Sequence, residues 1–144
     1  MDAHQDSLLK MKKLAYAMLQ AKEYQGKTVV YHRKDVLEEA VITLDEDPAA
    51  KLNLFGVKDT KQISKDLVEK LKEKRGCLFH TVDKMSKGGR AIDTELINPL
   101  TGRVMTGSSS ASSINILKGI NDFAIGTDGG GSVLAPAIST GLYS

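Results

Sequence analysis

Apolar residues in the first part of the chain recur at the spacing that is typical of an amphipathic helix. The repeat covers residues 6–25, where lysines occupy most of the remaining positions. Asp6 or Ser7 is suited to cap the start of this helix, and Gly26 to end it. The apolar positions are Leu8, Met11, Leu14, Ala15, Met18 and Leu19. We therefore predict a docking helix that covers one edge of a domain.

The same spacing returns in residues 62–75, directly before an apolar run at 77–82. Ser64 is a suitable N-cap for this second helix, and Gly76 a natural stop. The predicted inner stripe consists of Ile63, Leu67, Val68 and Leu71. The apolar run predicts a buried strand, and a helix that leads into such a strand is typical of α/β folds. We therefore expect an α/β protein with a mixed sheet flanked by helices.

β-Branched and aromatic residues dominate the segment between the two helices. In residues 27–44 the sequences TVVYH and EEAVITL lie on either side of a charged turn, which predicts a two-stranded hairpin. Residues 45–51 contain Pro48 and read as a surface loop. Residues 52–59 are apolar as far as the glycine and predict a short buried strand.

The last third of the chain alternates loops with short elements. Residues 83–105 contain paired glycines and a proline, and we expect mostly loop there. We predict a short helix at 112–118 and a strand at 121–126. Residues 132–140 follow three glycines and read as a turn or the start of a helix.

Length and composition are those of one globular domain. The 144 residues are 41% hydrophobic and 26% charged, near the average for soluble proteins. We expect a single domain, 1–144, with three parts: an N-terminal helix (1–26), a β-rich segment (27–61) and a final α/β segment (62–144).

Charge and residue usage exclude several classes of function. The net charge is only +2, and the eleven basic residues in 51–90 have few aromatic neighbours, which argues against nucleic-acid binding. No apolar run reaches the roughly 20 residues of a membrane span. The lone Cys77 excludes an internal disulfide, and we expect it to be buried in a cytoplasmic protein. The three histidines lack metal-ligand spacing, so we expect no metal. The Walker and Rossmann glycine motifs are also missing from the sequence, and we expect no other cofactor.

Two loops rich in serine and glycine enclose an apolar segment near the end of the chain. They span residues 107–113 and 126–132. Glycines allow the backbone to approach a ligand, and their N–H groups can converge as an anion cradle or an oxyanion hole. A phosphate-binding nest at 128–132 is one alternative, and a Ser–His–Asp triad using Ser132 and His80 is another.

The sequence of these two loops resembles that of the amidase signature family. That family has the pattern GGSSGGS, an apolar helix, and then GTDxGGSxRxPA. The chain has GSSSASS from Gly107 and GTDGGGSVLAPA from Gly126, and Ser132 lies 24 positions after Ser108. Asn98-Pro99 lies where the family commonly has Asn-Pro before its first loop. The resemblance covers residues 62–144 and implies the N-terminal part of the amidase signature fold.

The resemblance implies a Ser–cis-Ser–Lys hydrolase that cleaves or transfers a carboxamide. Ser132 is then the nucleophile, and Ser108, after a cis peptide bond, relays a proton to Lys58. Lys58-Asp59 echoes the lysine–aspartate motif of the family, and Lys84 and Lys87 are alternative lysines. The implied oxyanion hole is Gly129, Gly130 and Gly131, and the implied supporting residues are Ser109, Thr127 and Asp128.

The sequence also departs from the family pattern. Leu134 replaces the arginine after the nucleophile, and Ser110-Ala111 replaces a glycine pair. Lys58 lies only 50 residues before Ser108, and family members are several times longer than this chain. We therefore expect an incomplete site that needs a complementary polypeptide or a homo-oligomer to bind a small amide substrate. The alternative is a non-catalytic binding or assembly protein on a shortened amidase scaffold.

Overall fold

The computed structural model describes residues 2–90, 92–128 and 131–144. Helices and strands alternate through most of the chain. In order they are α1 (Ala3–Glu23), β1 (Val29–His32), α2 (Val36–Glu46), β2 (Asn53–Lys58), α3 (Lys65–Lys72), β3 (Cys77–Asp83), β4 (Ile92–Ile97), β5 (Val104–Thr106), α4 (Ser110–Leu117), β6 (Phe123–Ile125) and α5 (Leu134–Thr140). A 3₁₀ turn at Lys87–Gly89 lies between β3 and β4.

Four strands form a mixed sheet in the order β1, β3, β2, β6. β2 is parallel to both β3 and β6, whereas β1 is antiparallel to β3. The α/β class is confirmed, and so are the strands predicted at 52–59, 77–82 and 121–126. Since β2, β3 and β6 run in the same direction, the residues that follow them meet at one edge of the sheet.

The helices α1 and α2 pack on this sheet and form its main hydrophobic core. The buried cluster consists of Leu14, Ala17, Val36, Ala40, Leu54 and Leu78. α1 begins earlier than predicted because the Asp2 side chain, rather than Asp6 or Ser7, caps it by accepting the Gln5 N–H. No helix among the described residues is both long enough and apolar enough to cross a membrane.

The predicted hairpin in residues 27–44 is wrong. Only its first half is a strand, β1, and the remainder forms α2. Val36, Ala40 and Leu44 lie four residues apart and are all buried, so they form one helix face against the core. This tertiary packing outweighs the β propensity of the valine, isoleucine and threonine in the segment.

The segment 83–105 is also more ordered than predicted. β4 and β5 form an antiparallel two-stranded sheet of their own. Leu96 and Met105 from these strands pack on Ala111 and Ile114 of α4. β4 gives no alternating pattern, because its buried residues, Asp93 and Leu96, lie three positions apart across a register shift and one of them is polar.

The helix α3 has the predicted cap but not the predicted burial. Ser64 Oγ accepts the N–H groups of Asp66 and Leu67, as expected of an N-cap. No residue of α3 is buried, and Leu67 is 44% exposed. A groove of about 790 Å³, lined by Val68 of the helix and Phe79 of the sheet among others, lies between α3 and the sheet. The inner stripe is therefore only partly covered. Cys77, expected to be buried, is likewise half-buried at the start of β3.

Candidate active site

Lys58 ends β2, at the edge of the sheet where the parallel strands end. It is 3% exposed. Its Nζ donates to Ser108 Oγ at 2.5 Å and to Thr127 Oγ1 at 3.1 Å. Ser108 lies just before α4, and Thr127 lies two residues after β6. Three separate elements thus bring together three side chains that the sequence singled out.

Burial changes the chemistry of this lysine. Desolvation lowers the pKa of Lys58 below its ordinary value because it disfavours the ammonium form, while the negative charge of Asp128 acts in the opposite direction. A lowered pKa gives a larger neutral fraction near neutral pH, and neutral lysine can accept a proton from a hydroxyl. The adjacent Ser108 hydroxyl is placed to give one.

The turn before Ser108 requires glycine. Gly107 has φ +96°, and a Cβ there would lie 2.6 Å from the Pro136 ring. The described residues contain no cis peptide bond, so the cis bond expected between Gly107 and Ser108 is absent. With a trans bond, the positive φ of Gly107 turns the chain, and Ser108 still contacts Lys58.

Ser132 lies on the same cavity as Lys58 and Ser108. The cavity has a volume of about 490 Å³, and Gln62 and Met85 form part of its wall. A hydrogen bond fixes the backbone of Ser132, since its carbonyl accepts the Ser109 N–H at 3.2 Å. The hydrogen bonds of the described residues do not include one between the hydroxyls of Ser108 and Ser132. The cavity therefore gathers the expected nucleophile, relay and base without a closed chain of contacts.

Asp128 binds the backbone of the loop that carries Ser132. Its carboxylate accepts N–H groups from Gly131 at 2.6 Å, Val133 at 3.1 Å and Leu134 at 3.0 Å. These hydrogen bonds stabilise the charged form of Asp128 and lower its pKa, and the bond from the Leu134 N–H has the largest effect. The Gly131 N–H is thus already donated and is not free to serve as an oxyanion donor here. Gly129 and Gly130 lie outside the described residues.

Ser109 lies behind the loop rather than in the cavity. The residue is 2% exposed, and its Oγ has no hydrogen-bond partner within the described residues. A Cβ on Gly126 would lie 2.9 Å from that Oγ, so the two segments approach closely. Its contribution is the backbone bond to Ser132.

The alternative catalytic residues lie elsewhere. Lys84 forms ion pairs with Asp93 and Glu95, and Lys87 lies in the 3₁₀ turn. His80 is fully buried, and its Nδ1 bonds with the Ile120 carbonyl. Neither the two lysines nor His80 lines the cavity that contains Ser132. The structure therefore does not support a Ser–His–Asp triad built on His80.

A buried polar network beneath the site was missed in the sequence. Asp83 is 0% exposed and accepts hydrogen bonds from Thr81 at 2.7 Å, Asn115 at 2.8 Å and Ser112 at 2.9 Å. Burial raises the pKa of Asp83 to about 6, and the three bonds act against that rise. The only sequence signal is an acidic residue that directly follows the apolar run at 77–82.

Comparison with known proteins identifies the fold. A crystal structure of an amidase matches the chain with a TM-score of 0.64 and 23% sequence identity. The match covers 95% of this chain and 41% of the amidase chain. No family model matches the sequence, and no curated protein matches it. The chain has the fold of part of an amidase, as the resemblance in its two loops predicted.

Proposed function

We propose that the chain carries the catalytic residues of an amidase-type hydrolase. The observation that supports this most directly is the 2.5 Å contact between buried Lys58 and Ser108, on a cavity that Ser132 also lines. A desolvated lysine in contact with a serine, and a second serine nearby, are the groups that an acyl-transfer reaction requires.

In the proposed reaction Ser132 Oγ attacks the carbonyl carbon of a carboxamide. Ser108 takes the proton of Ser132 and gives its own to neutral Lys58, so the two transfers leave Ser108 unchanged. When the C–N bond breaks, the proton returns by the same route to the leaving amine. An acyl ester on Ser132 remains, and water or another nucleophile then releases it. This sequence cleaves or transfers a linear amide.

The negative charge that develops on the carbonyl oxygen during the attack needs hydrogen-bond donors. The resemblance assigns this role to Gly129, Gly130 and Gly131, but the Gly131 N–H is donated to Asp128. We therefore propose Gly129 and Gly130 as the donors, with Thr127 and Asp128 bracing the loop. Such donors contribute about 3–4 kcal/mol each in other enzymes.

We also propose that further polypeptide completes the substrate pocket, whereas the two serines and the lysine that make Ser132 reactive all lie in this chain. The chain spans 41% of the amidase chain that it matches. Within the described part of the chain, β6 is paired only with β2, and a groove of about 430 Å³ lies beside it. Phe123, Ala124 and Ile116 contribute to this groove. An open sheet edge next to an apolar groove favours pairing with another strand, from a complementary polypeptide or a second copy.

A second candidate is a binding or assembly protein without catalysis. The bond between Gly131 and Asp128 favours it, because that bond removes one of the expected oxyanion donors. The open edge of β6 is compatible with both candidates. Reactivity of Ser132 distinguishes them.

The test is covalent labelling by a fluorophosphonate, which reacts with activated serines. We expect labelling of the wild-type chain, loss of labelling in Ser132→Ala, and a large decrease in Ser108→Ala. Ser144→Ala is the control, since Ser144 is exposed and outside the cavity. Equal labelling of wild type and Ser132→Ala, or no labelling of either, contradicts the proposal and favours the binding protein.

A further inference from the structure

Asp83 connects the two parts of the candidate site. It is the last residue of β3 and lies opposite Lys58 in the parallel pairing of β2 with β3. Two of the three groups that donate to its carboxylate, Ser112 and Asn115, lie on α4. α4 begins two residues after Ser108. One carboxylate thus joins the strand beside Lys58 to the helix that follows Ser108.

The residues around Asp83 leave space for its carboxylate and donate hydrogen bonds to it. A Cβ on Gly56 would lie 2.3 Å from Asp83 Oδ2, so only glycine leaves room for the carboxylate. Thr81 is itself fixed, because its Oγ1 accepts from Asn121 at 2.7 Å. The three donors to Asp83 are all uncharged. A buried carboxylate with neutral partners is costly, so simple packing does not account for it.

Ionised Asp83 can accept from all its donors at once. A carboxylate has two oxygens and donates nothing, so it fixes the direction of both hydroxyls and of the Asn115 amide. A second bond supports the same connection: Ser86, three residues after Asp83, donates its N–H to the Ser108 carbonyl at 3.1 Å. Together these bonds set how closely Ser108 approaches β2.

We propose that Asp83 is a positioning residue that holds Ser108 against Lys58. It does not line the cavity, and it acts through α4. The kinetic part of this inference rests on the proposed amidase function. The geometric part concerns the Lys58–Ser108 contact alone and is measurable without any reaction.

Two substitutions of Asp83 distinguish the effect of its hydrogen bonds on the position of Ser108 from the effect of its charge. Asp83→Leu removes every acceptor and keeps the same branched arrangement of heavy atoms. Asp83→Asn keeps one oxygen for Thr81 and Asn115, and its new NH₂ group can donate to the Ser112 hydroxyl, which can rotate to accept. Asp93→Leu is the matched control: Asp93 is also buried, but it pairs with Lys84 away from the cavity.

The first measurement is an NMR titration of Lys58 in protein with ¹³C-labelled lysine. We expect Asp83→Leu to raise the pKa of Lys58 toward its ordinary value, because a displaced α4 admits water to the ammonium. Asp83→Asn restores most of the wild-type value, and Asp93→Leu leaves it unchanged. Ser112→Ala removes one hydrogen-bond donor and keeps the Asp83 carboxylate. We expect it to shift the pKa of Lys58 in the same direction as Asp83→Leu does, and it replaces Asp83→Leu in the test if that variant does not fold.

The second measurement is the rate of fluorophosphonate labelling against probe concentration. We expect Asp83→Leu to lower the maximal rate at least about tenfold, with half-saturation changed less than about twofold, since misplacement affects reaction more than binding. An unchanged Lys58 pKa and an unchanged maximal rate in a folded Asp83→Leu or Ser112→Ala overturn the proposal. If the wild type is not labelled at all, the amidase function fails, and the NMR titration alone decides the positioning role.

Discussion

At the residue scale, the site depends on a lysine whose environment changes its chemistry. The sequence identified Lys58 through a two-residue motif, and the structure places its Nζ 2.5 Å from Ser108 Oγ. The sequence did not identify Asp83, because its three partners come from other parts of the chain and follow no local pattern. A sequence motif does not reveal residues that lie close to a site only in the folded chain.

Replacing Lys58 by methionine tests this environment. The pKa of Lys58 is lowered in the folded protein, so the unfolded chain binds more protons between that pKa and the ordinary value. Wild-type stability therefore rises with pH across this window, by up to ~1.4 kcal/mol per pH unit, and Lys58→Met lacks this contribution. We also expect labelling of Ser132 to decrease about a hundredfold or more.

Urea unfolding between pH 7 and pH 11 measures the difference between wild type and Lys58→Met. Lys12→Met is the control, since Lys12 is exposed on α1. A constant difference over this range, or undiminished labelling, contradicts the assignment of Lys58 as a buried base.

At the element scale, periodicity predicted the elements whose apolar residues face the core. The helix α1 followed from it directly, and the strands β2 and β3 followed from short apolar runs. Periodicity failed for α2, where β-branched residues lie on a helix that packing stabilises, and for β4, whose two buried residues lie three positions apart across a register shift. In both cases the deciding interaction is tertiary and has no counterpart in a local window.

Gly56→Ala tests the fit between β2 and β3. The new methyl group would lie 2.3 Å from Asp83 Oδ2 and 2.6 Å from Asn121 Nδ2, so one strand or side chain must move. We expect a loss of about 2 kcal/mol in the free energy of unfolding, measured in urea. In the double variant with Asp83→Ala the space on the Asp83 side reappears and only the approach to Asn121 remains, so the combined loss falls short of the sum by about 1 kcal/mol or more. Additive losses contradict this view of the interface.

At the scale of the whole molecule, the buried Asp83 makes stability depend on pH. Its pKa is about 6 in the folded protein, above the ordinary 3.8, so the folded state binds the extra proton between these values. Its contribution to stability is therefore greatest below pH 4 and is lost as pH rises through 6. The expected size is ~3 kcal/mol.

Asp83→Asn removes this titration. The difference in unfolding free energy between variant and wild type is expected to move in favour of the variant as pH rises from 4 to 7. Chemical denaturation at fixed ionic strength measures it, and Asp93→Asn, at a buried aspartate paired with Lys84, is the control. A difference that is flat over this interval, or that moves the other way, shows that Asp83 is ionised at little cost.

The edge strand β6 has a further consequence for the order in which the molecule assembles. It is three residues long, and its pairing with β2 joins Phe55 to Phe123, 68 positions apart in the chain. Closing so long a loop costs entropy, whereas β1, β3 and β2 lie within residues 29–83 and pair sooner. We therefore expect β6, the strand that leads into the loop with Thr127 and Ser132, to join the sheet late in folding and to leave it early in local unfolding. As a result, we expect Ser132, the proposed nucleophile, to become reactive only once the rest of the domain has formed.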